Sequence, residues 1–363
     1  MPDFIPGLQL SAHFYEEAVR PILEASFPRL RYAAALIGPG SEVLGYDTPM
    51  STDHDWGPRL MLFLGADDFA ALHAPISDTL SQKLPTRFRG YPTHFGPPDE
   101  EGVRLLEAVE SGPVSHRVEV YTVQSFSEQY LGLDPTGEIT ARDWLTLPEQ
   151  KLLTVTEGAV YHDGLGALGA ARERLRYYPP DVWRYLLAWQ WRRIGQGEAF
   201  VGRAGDVGDG LGSRIITARL VGDLMKLCFL MERRYAPYSK WLGTAFAALL
   251  CAPRLMPTFE AALSATTWPA RERHLSAAYE AAAAMHNALG ITPPLDPNVS
   301  PFHRRPFQVA HAARFADTIA ATIHDETLKT LRFDAGAVDQ YIDSVDVTSD
   351  TRQHRRLMAL YGE

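Results

Sequence analysis

Apolar residues in the first part of the chain form short continuous runs, which are typical of buried β-strands. Two such runs, 32–37 and 59–64, lie between segments rich in glycine, proline and aspartate. A third strand candidate, 116–123, alternates in places and is rich in β-branched residues. Segments 11–25 and 67–80 carry apolar residues at helical spacing instead, and the second opens with aspartates, which favour a helix N-terminus. The pattern predicts a small mixed β-sheet with flanking helices.

Longer helices are predicted from about residue 148, where the hydrophobic period changes. Alanine-rich pieces favour helix, and Pro179 and Pro180 precede a predicted helix start. The predicted helices cover 148–157, 164–176, 181–195, 212–235, 239–250, 270–289, 304–325 and 350–361. The predicted fold class is therefore α+β, with a mixed-sheet domain over 1–155 followed by an α-helical bundle domain over 156–363.

The overall composition is that of an ordinary globular protein, with 46% apolar and 22% charged residues. A net charge of -9 opposes broad nucleic-acid binding, so nucleic acid is not an expected partner. Cys228 and Cys251 lie in apolar stretches and are predicted to be reduced core thiols. No secretion signal or run of ~20 apolar residues is evident, so we expect a cytoplasmic monomer or homodimer without membrane contact.

Candidate chemistry is concentrated in residues 36–64, LIGPGSEVLGYDTPMSTDHDWGPRLMLFL. The first strand ends in a tight turn at Gly40 and Ser41, whose backbone N–H groups and hydroxyl could hold phosphate oxygens. Asp53 and Asp55 follow before the second strand. In extended backbone they would project from the same side, where both could bind Mg²⁺. The alternative is a carboxylate pair in a solvated turn.

A third carboxylate is predicted on the next strand. Glu119 lies between Val118 and Val120 in an apolar run, and an inward carboxylate there requires a partner because an unpaired buried charge is expensive. Together with Asp53 and Asp55 it could complete a two-metal site.

This order of strand, Gly-Ser turn, Asp-x-Asp and later strand carboxylate resembles the DNA polymerase β-like nucleotidyltransferase superfamily over about the first third of the chain. The sheet-then-helices layout is similar to that of aminoglycoside and related antibiotic nucleotidyltransferases. The segments GSEVLGYDTPMSTDHDWGPR, YHDGLG and RRYAPYSKWLG resemble an uncharacterised bacterial group of that superfamily, known only as a domain of unknown function. This second resemblance covers most of the chain.

The resemblance implies a Mg²⁺-dependent enzyme that moves a nucleoside monophosphate from a nucleoside triphosphate, with ATP expected, to a hydroxyl of a small-molecule acceptor. Gly40 and Ser41 would contact the phosphates, Asp53 and Asp55 would bind the metals, and Glu119 would be a metal ligand or base. The sheet domain would then be the nucleotidyltransferase domain, and the helical domain would close over the nucleotide.

The chain departs from the superfamily pattern directly after the aspartates. In many members the second aspartate runs straight into an apolar strand, whereas here Trp56, Gly57, Pro58 and Arg59 intervene. The insertion could shift the strand, or it could place Arg59 on the triphosphate. It also supports the alternative hypothesis, a catalytically inactive nucleotide-binding or interaction protein, including a partner of the toxin–antitoxin type. Metal-dependent nucleotide turnover separates the two hypotheses.

Two basic residues of the helical half are further candidates. Lys226 and Lys240 could reach the triphosphate, although pairing with Asp223 or Glu232 on a solvated face is the simpler interpretation. The glycine cluster 201–214 is interpreted as a flexible connection between helices, with a ligand-covering loop as the alternative. The aromatic residues between 177 and 191 are expected to pack in a helical core.

Overall fold

The computed structural model describes residues 3–100, 102–331 and 334–362. The chain divides into two compact units, the first formed by 1–139 and 151–176 and the second by 140–150 and 177–363. The β-strands are β1 Tyr32–Leu36, β2 Arg59–Leu64, β3 Arg87–Phe88, β4 Tyr91–Pro92, β5 His94–Phe95, β6 Leu106–Glu107, β7 Arg117–Tyr121, β8 Ala159–Asp163, β9 Ser300–Pro301 and β10 Gln308–Val309.

Helices make up most of the remaining secondary structure. The α-helices are α1 Gly7–Phe14, α2 Arg20–Ser26, α3 Ala66–Lys83, α4 Val123–Leu131, α5 Ala141–Thr146, α6 Glu149–Thr156, α7 Ala167–Arg174, α8 Pro180–Gly197, α9 Phe200–Asp206, α10 Gly210–Met231, α11 Leu242–Phe246, α12 Ala252–Ser264, α13 Trp268–Ala288, α14 Ala313–Ala320, α15 Glu326–Lys329, α16 Val338–Tyr341, α17 Val345–Ser349 and α18 Thr351–Arg356. A π-helical segment, Tyr15–Val19, joins α1 to α2. The 3₁₀ segments are Glu42–Leu44, Pro49–Asp53 and Leu357–Tyr361.

The sheet of the first unit has four strands in the order β7-β2-β1-β8. β1 is antiparallel to both β2 and β8, whereas β2 and β7 are parallel. All residues of β1 and β2 are buried, which explains why both strands read as continuous apolar runs. The predicted α+β class, with a small mixed sheet and a following helical region, is confirmed.

Each face of this sheet has its own packing partners. Leu60, Leu62 and Leu64 point to one face, where they share a core with residues of α1, α2 and α3. Phe63 points to the other face and packs edge-on against Phe126 of α4. Because β2 and β7 are paired in register, alternate residues of β7 share this second face.

The second unit is mostly helical, with α8 packed against α10 and α14 and with α13 packed against α10 and α12. Trp191 of α8 is fully buried and stacks on Phe315 of α14, with 4.4 Å between the ring centroids. Trp183, Tyr178 and Tyr185 are buried as well. The expectation that the aromatic residues of this region form a core is confirmed for these side chains. Cys228 and Cys251 are buried and carry no disulfide, as predicted.

Two local predictions are wrong. The glycine cluster 201–214 is not a flexible connection: α9 covers its first part, and α10 begins at Gly210. Glycine is needed there for close packing, because a Cβ at Gly205 would collide with the Trp268 side chain. The region 304–325, predicted as one helix, contains β10 and the shorter α14.

Candidate functional site in the first unit

The sheet topology brings the predicted site segments to one edge of the first unit. β1 and β2 are antiparallel with Ala35 opposite Met61, so the turn after β1 lies beside the start of β2. β7 runs parallel to β2 with Arg117 opposite Arg59, so its start lies at the same edge. The Gly-Ser turn, the segment before β2 and the first residues of β7 therefore lie at one end of the sheet, and Asp55 contacts Arg117 there.

The turn after β1 is built around two glycines in left-handed backbone. Gly38 has a φ of 81° and Gly40 a φ of 129°. A Cβ at Gly40 would meet the Arg59 guanidinium and the Glu42 carboxylate, and its φ of 129° is one that other residues rarely adopt, so glycine is favoured there. Within the described part of the chain, the N–H groups of Gly40 and Ser41 make no hydrogen bond. These two unpaired donors are suited to an anion.

Arg59 is part of the structure that holds this turn. Its Nε donates to Glu42 Oε1 at 2.7 Å, its Nη2 donates to the Pro39 carbonyl oxygen, and both charged side chains are buried. The predicted contact of Arg59 with a triphosphate stays a prediction. The observed contacts are those of a buried ion pair that anchors the turn to β2.

The backbone at the Asp-x-Asp segment differs from the extended conformation that we predicted. Asp53 ends a 3₁₀ segment, His54 is extended, and Asp55 adopts left-handed backbone with a φ of 48°. The two carboxylates therefore do not project as alternate residues of one strand. Asp53 Oδ1 lies 2.9 Å from His54 Nδ1, and its side chain is largely exposed.

The reason for this bend is the burial of Trp56. Its side chain is 2% exposed, stacks on Phe4, and donates from Nε1 to Asp47 Oδ2 at 3.0 Å. The Asp55 N–H donates to the Arg104 carbonyl oxygen at 2.9 Å. The inserted tryptophan thus has a structural role, because it turns the chain into the core before β2 begins.

Asp55 and Glu119 are brought together by Arg117. Arg117 Nη1 donates to Asp55 Oδ1 at 2.6 Å, and its Nε lies 3.7 Å from Glu119 Oε1. The two carboxylate side chains are 36% and 37% exposed, so ligands can reach them from solvent. Arg117 is thus a charged neighbour of Glu119, but Glu119 is not the buried carboxylate that the sequence predicted.

Tyr121 closes the other side of Glu119. Its hydroxyl donates to Glu119 Oε2 at 3.5 Å. Burial, followed by the nearby Glu119 charge, raises the pKa of Tyr121 to about 12. Tyr121 therefore stays protonated at neutral pH and remains a hydrogen-bond donor toward the carboxylate.

Carboxylate oxygens are the donors that Mg²⁺ prefers, so Asp55 and Glu119 fit a hard divalent cation in their chemistry. Over the described residues, no group of three or more histidine, cysteine, aspartate or glutamate side chains is arranged to hold a metal ion. Asp53, the third predicted ligand, is largely exposed, and its Oδ1 lies 2.9 Å from His54 Nδ1. Here the Arg117 guanidinium balances one of the two negative charges of Asp55 and Glu119.

Sequence reasoning did not single out Arg117. It is the first residue of β7 and two positions before Glu119, so alternation alone places both side chains on one face. An arginine two positions before Glu119 in the strand that follows the Asp-x-Asp segment could have indicated this pairing.

The two lysines predicted as nucleotide contacts belong to the second unit. Lys226 Nζ donates to the Asp339 carbonyl oxygen at 2.8 Å, next to the buried Glu149 carboxylate. Lys240 is exposed, with its Nζ 5.1 Å from the Trp241 ring centroid. Their role at a nucleotide stays a prediction.

The described fold and site define a mixed α+β chain with an acidic cluster at one sheet edge. Residues 144–242 match the family model described as "Domain of unknown function (DUF4037)". This segment covers about a quarter of the chain and includes YHDGLG and most of RRYAPYSKWLG. No curated protein matches the chain. Within the described ranges, no helix combines the length and apolar composition needed to span a bilayer.

Proposed function

We propose that the first unit carries an active site of the DNA polymerase β-like nucleotidyltransferase type. In the proposed reaction a nucleoside monophosphate passes from a nucleoside triphosphate, with ATP as the expected donor, to a hydroxyl of a small-molecule acceptor. The observation that carries the proposal is the convergence of three features on one sheet edge. These are the unpaired N–H groups of Gly40 and Ser41, the Asp55 carboxylate and the Glu119 carboxylate.

The chemical roles follow from the side chains at that edge. The Gly40 and Ser41 donors would hold phosphate oxygens, and Asp55 and Glu119 would hold Mg²⁺, with Asp53 as a further proposed ligand. The bound ion would neutralise the phosphates and polarise the α-phosphorus. Glu119 would accept the proton of the acceptor hydroxyl as the new oxygen–phosphorus bond forms. Pyrophosphate then leaves with the electron pair of the bond that breaks.

The electrostatics of the chain favour a small acceptor. With a net charge of -9 the protein as a whole repels a polyanion, whereas one triphosphate can be held by a few local donors. A small hydroxyl compound requires no extended basic surface.

A second candidate function is nucleotide binding without turnover. It is favoured by the ion pair between Arg117 and Asp55, which occupies one carboxylate oxygen with a protein cation. In such a protein Arg117 would bind phosphate, and Asp55 and Glu119 would only orient it. The two candidates differ in whether nucleotide binding requires Mg²⁺ and whether pyrophosphate is released.

The first test is thermal unfolding with each of the four ribonucleoside triphosphates, with and without Mg²⁺. Ligand at about 100 times its Kd adds roughly 2.7 kcal/mol of stability, which is readily seen as a raised Tm. We expect a Mg²⁺-dependent rise with one nucleotide that is lost in Asp53→Asn and Asp55→Asn. No rise with any nucleotide would contradict both candidate functions.

The second test is pyrophosphate release with that nucleotide over a panel of hydroxyl compounds that includes aminoglycosides. We expect Asp53→Asn, Asp55→Asn and Glu119→Gln each to lower turnover by roughly 100-fold or more. Asp78→Asn is the matched control, since Asp78 is exposed on α3 in the same unit and undergoes the same change in charge. Full activity in Asp53→Asn would show that Asp53 is not part of the site. Full activity in both Asp55→Asn and Glu119→Gln would overturn the assignment.

A further inference from the structure

The second unit contains a groove that is separate from the chemistry proposed above. It has a volume of about 610 Å³ and lies between α9, the first half of α10 and the segment before β10. This volume lies within the range of about 300–1,000 Å³ that is typical of small-molecule sites. Its apolar walls include Phe200, Val207, Ile216 and Phe307.

Two arginines give the groove a charge preference. Arg203 and Arg305 both line it, together with one carboxylate, that of Asp206, so the lining carries a net charge of +1. Among the described residues, neither arginine forms an ion pair, and the Arg203 guanidinium lies 5.4 Å from the Phe200 ring centroid. Unpaired guanidiniums beside aromatic walls suit a carboxylate, phosphate or sulfonate on an apolar body.

The apolar surface continues beyond the groove. Leu211 and Ile215 are 69% and 62% exposed and four residues apart on α10, so they share one side of that helix. Val207, 79% exposed, lines the groove just before α10 begins. A polar or very small ligand would leave this surface uncovered. A longer apolar body could extend from the groove along it and remove part of it from water.

We propose that this groove is a binding site for a small amphipathic anion. The anionic group binds at Arg203 and Arg305, and the apolar body lies against Phe200, Phe307 and Ile216. The site lies wholly within the second unit and is independent of nucleotide chemistry. It also gives the glycine-rich segment a function: Gly202 allows Phe307 to approach closely, because a Cβ there would meet the Phe307 ring at 2.5 Å.

The test uses the full chain and two fluorescent probes of similar shape. These are 8-anilino-1-naphthalenesulfonate, which is anionic, and N-phenyl-1-naphthylamine, which is neutral. We expect one saturable site that binds the anion at least tenfold more tightly than the neutral probe. Arg203→Gln and Arg305→Gln should each weaken anion binding about tenfold, as expected for the loss of one charge-assisted contact. Equal affinity for both probes would overturn the proposal.

Matched variants distinguish binding in the groove from non-specific binding of the probes elsewhere on the protein. Arg304 is next to Arg305 but does not line the groove. Arg304→Gln therefore removes one positive charge outside the groove, and anion affinity in this variant should stay within twofold of wild type. Ala204→Trp should fill the groove and abolish binding. Should that variant fail to fold, Phe200→Ser, at a partly exposed position, is used instead and should weaken binding of both probes.

Two further outcomes would contradict the proposal. Unchanged anion affinity in both Arg203→Gln and Arg305→Gln would mean that the probe binds elsewhere. If probe affinity instead falls with rising protein concentration while a dimer appears in size-exclusion chromatography, the face is a contact between two copies and not a ligand site.

Discussion

Arg59 and Arg117 stand opposite each other on paired strands, yet their surroundings differ. Arg59 is 5% exposed and bound to Glu42, whereas the Arg117 side chain is 18% exposed and lies between two solvent-accessible carboxylates. A buried cation with a fixed partner stabilises the local structure, while a partly exposed cation between acids can exchange partners. The geometry therefore makes Arg117 the functional candidate of the two.

The role of Arg59 can be tested by removing its partner. In Glu42→Gln the guanidinium keeps its contact with the Pro39 carbonyl but remains buried without a counter-charge. We expect a loss of about 3–5 kcal/mol in the free energy of unfolding, measured by urea denaturation, because one charge of a buried pair is left uncompensated.

The double variant Glu42→Gln with Arg59→Met should recover much of this loss, since it removes both charges. Recovery of stability in the double variant would support the structural role of Arg59. A double variant as unstable as Glu42→Gln alone would contradict the assignment of a buried ion pair as the source of the loss.

Gly40, Ser41, Asp55 and Glu119 were singled out from residue type and spacing, and their role in a site stays a prediction. Their local geometry was not predictable from sequence. The left-handed backbone at Asp55 depends on Trp56 entering the core, which is a tertiary effect. No local sequence pattern predicts that Arg59 is buried while Arg117 is partly exposed.

At the scale of elements, β1, β2 and β7 were predicted and β8 was missed. β8 has the sequence AVYHD, and its residues are half-buried or exposed. Among the described strands β8 is an edge strand that pairs with β1, and it carries no strong apolar run. The other edge strand, β7, was recognisable because valines alternate with polar residues along it. β8 lacks such a pattern, so its position is fixed mainly by its pairing with β1.

A buried acidic pair connects three elements of the second unit. Glu149 of α6 accepts from the Ala236 N–H at 2.6 Å, and its own N–H donates to Asp339 Oδ2 of α16 at 2.9 Å. Burial and the neighbouring Asp339 charge raise the pKa of Glu149 to about 8, although Lys226 on α10 opposes the shift. Burial also raises the pKa of Asp339. The surrounding tyrosines, Tyr177, Tyr178 and Tyr235, stay protonated because their pKa values are raised as well.

This pair predicts that stability falls as pH rises. The unfolded chain releases the Glu149 proton near pH 4.5, whereas the folded chain keeps it until about pH 8. The contribution to stability is therefore complete below about pH 4.5 and is lost progressively up to about pH 8. Glu149→Gln should raise Tm relative to wild type, by more at pH 8 than at pH 5.

Thermal unfolding at pH 5, 6, 7 and 8 measures the difference between variant and wild type. Glu260→Gln is the control, because Glu260 is exposed on α12 and should give a difference that does not grow with pH. Parallel curves for Glu149→Gln and wild type would show that this carboxyl titrates alike in the folded and unfolded chains.

At the scale of the whole molecule, the chain passes between its two units three times. Residues 140–150 belong to the second unit, and the chain then returns to the first for 151–176. This returning segment supplies β8, which pairs with β1 through Ala35 opposite Val160 and Leu36 opposite Ala159. The first unit therefore needs residues beyond 155 to complete its sheet.

The two candidate boundaries make different predictions for fragments. Fragment 1–176 contains all four strands, whereas fragment 1–155 leaves β1 as an unpaired apolar edge. With 140–150 replaced by a Gly/Ser linker in both, so that its apolar side chains are not exposed, we expect cooperative thermal unfolding from 1–176 and aggregation from 1–155. Circular dichroism and size-exclusion chromatography measure the two outcomes.

A variant of equal length separates the effect of β8 from that of chain length. Val160→Pro in fragment 1–176 removes a backbone donor within β8 and fixes its φ, which weakens pairing with β1 without shortening the chain. It should lower Tm sharply and move the fragment toward the behaviour of 1–155. If 1–155 instead unfolds as cooperatively as 1–176, β8 contributes little to the first unit. The domain boundary predicted at residue 155 would then be supported.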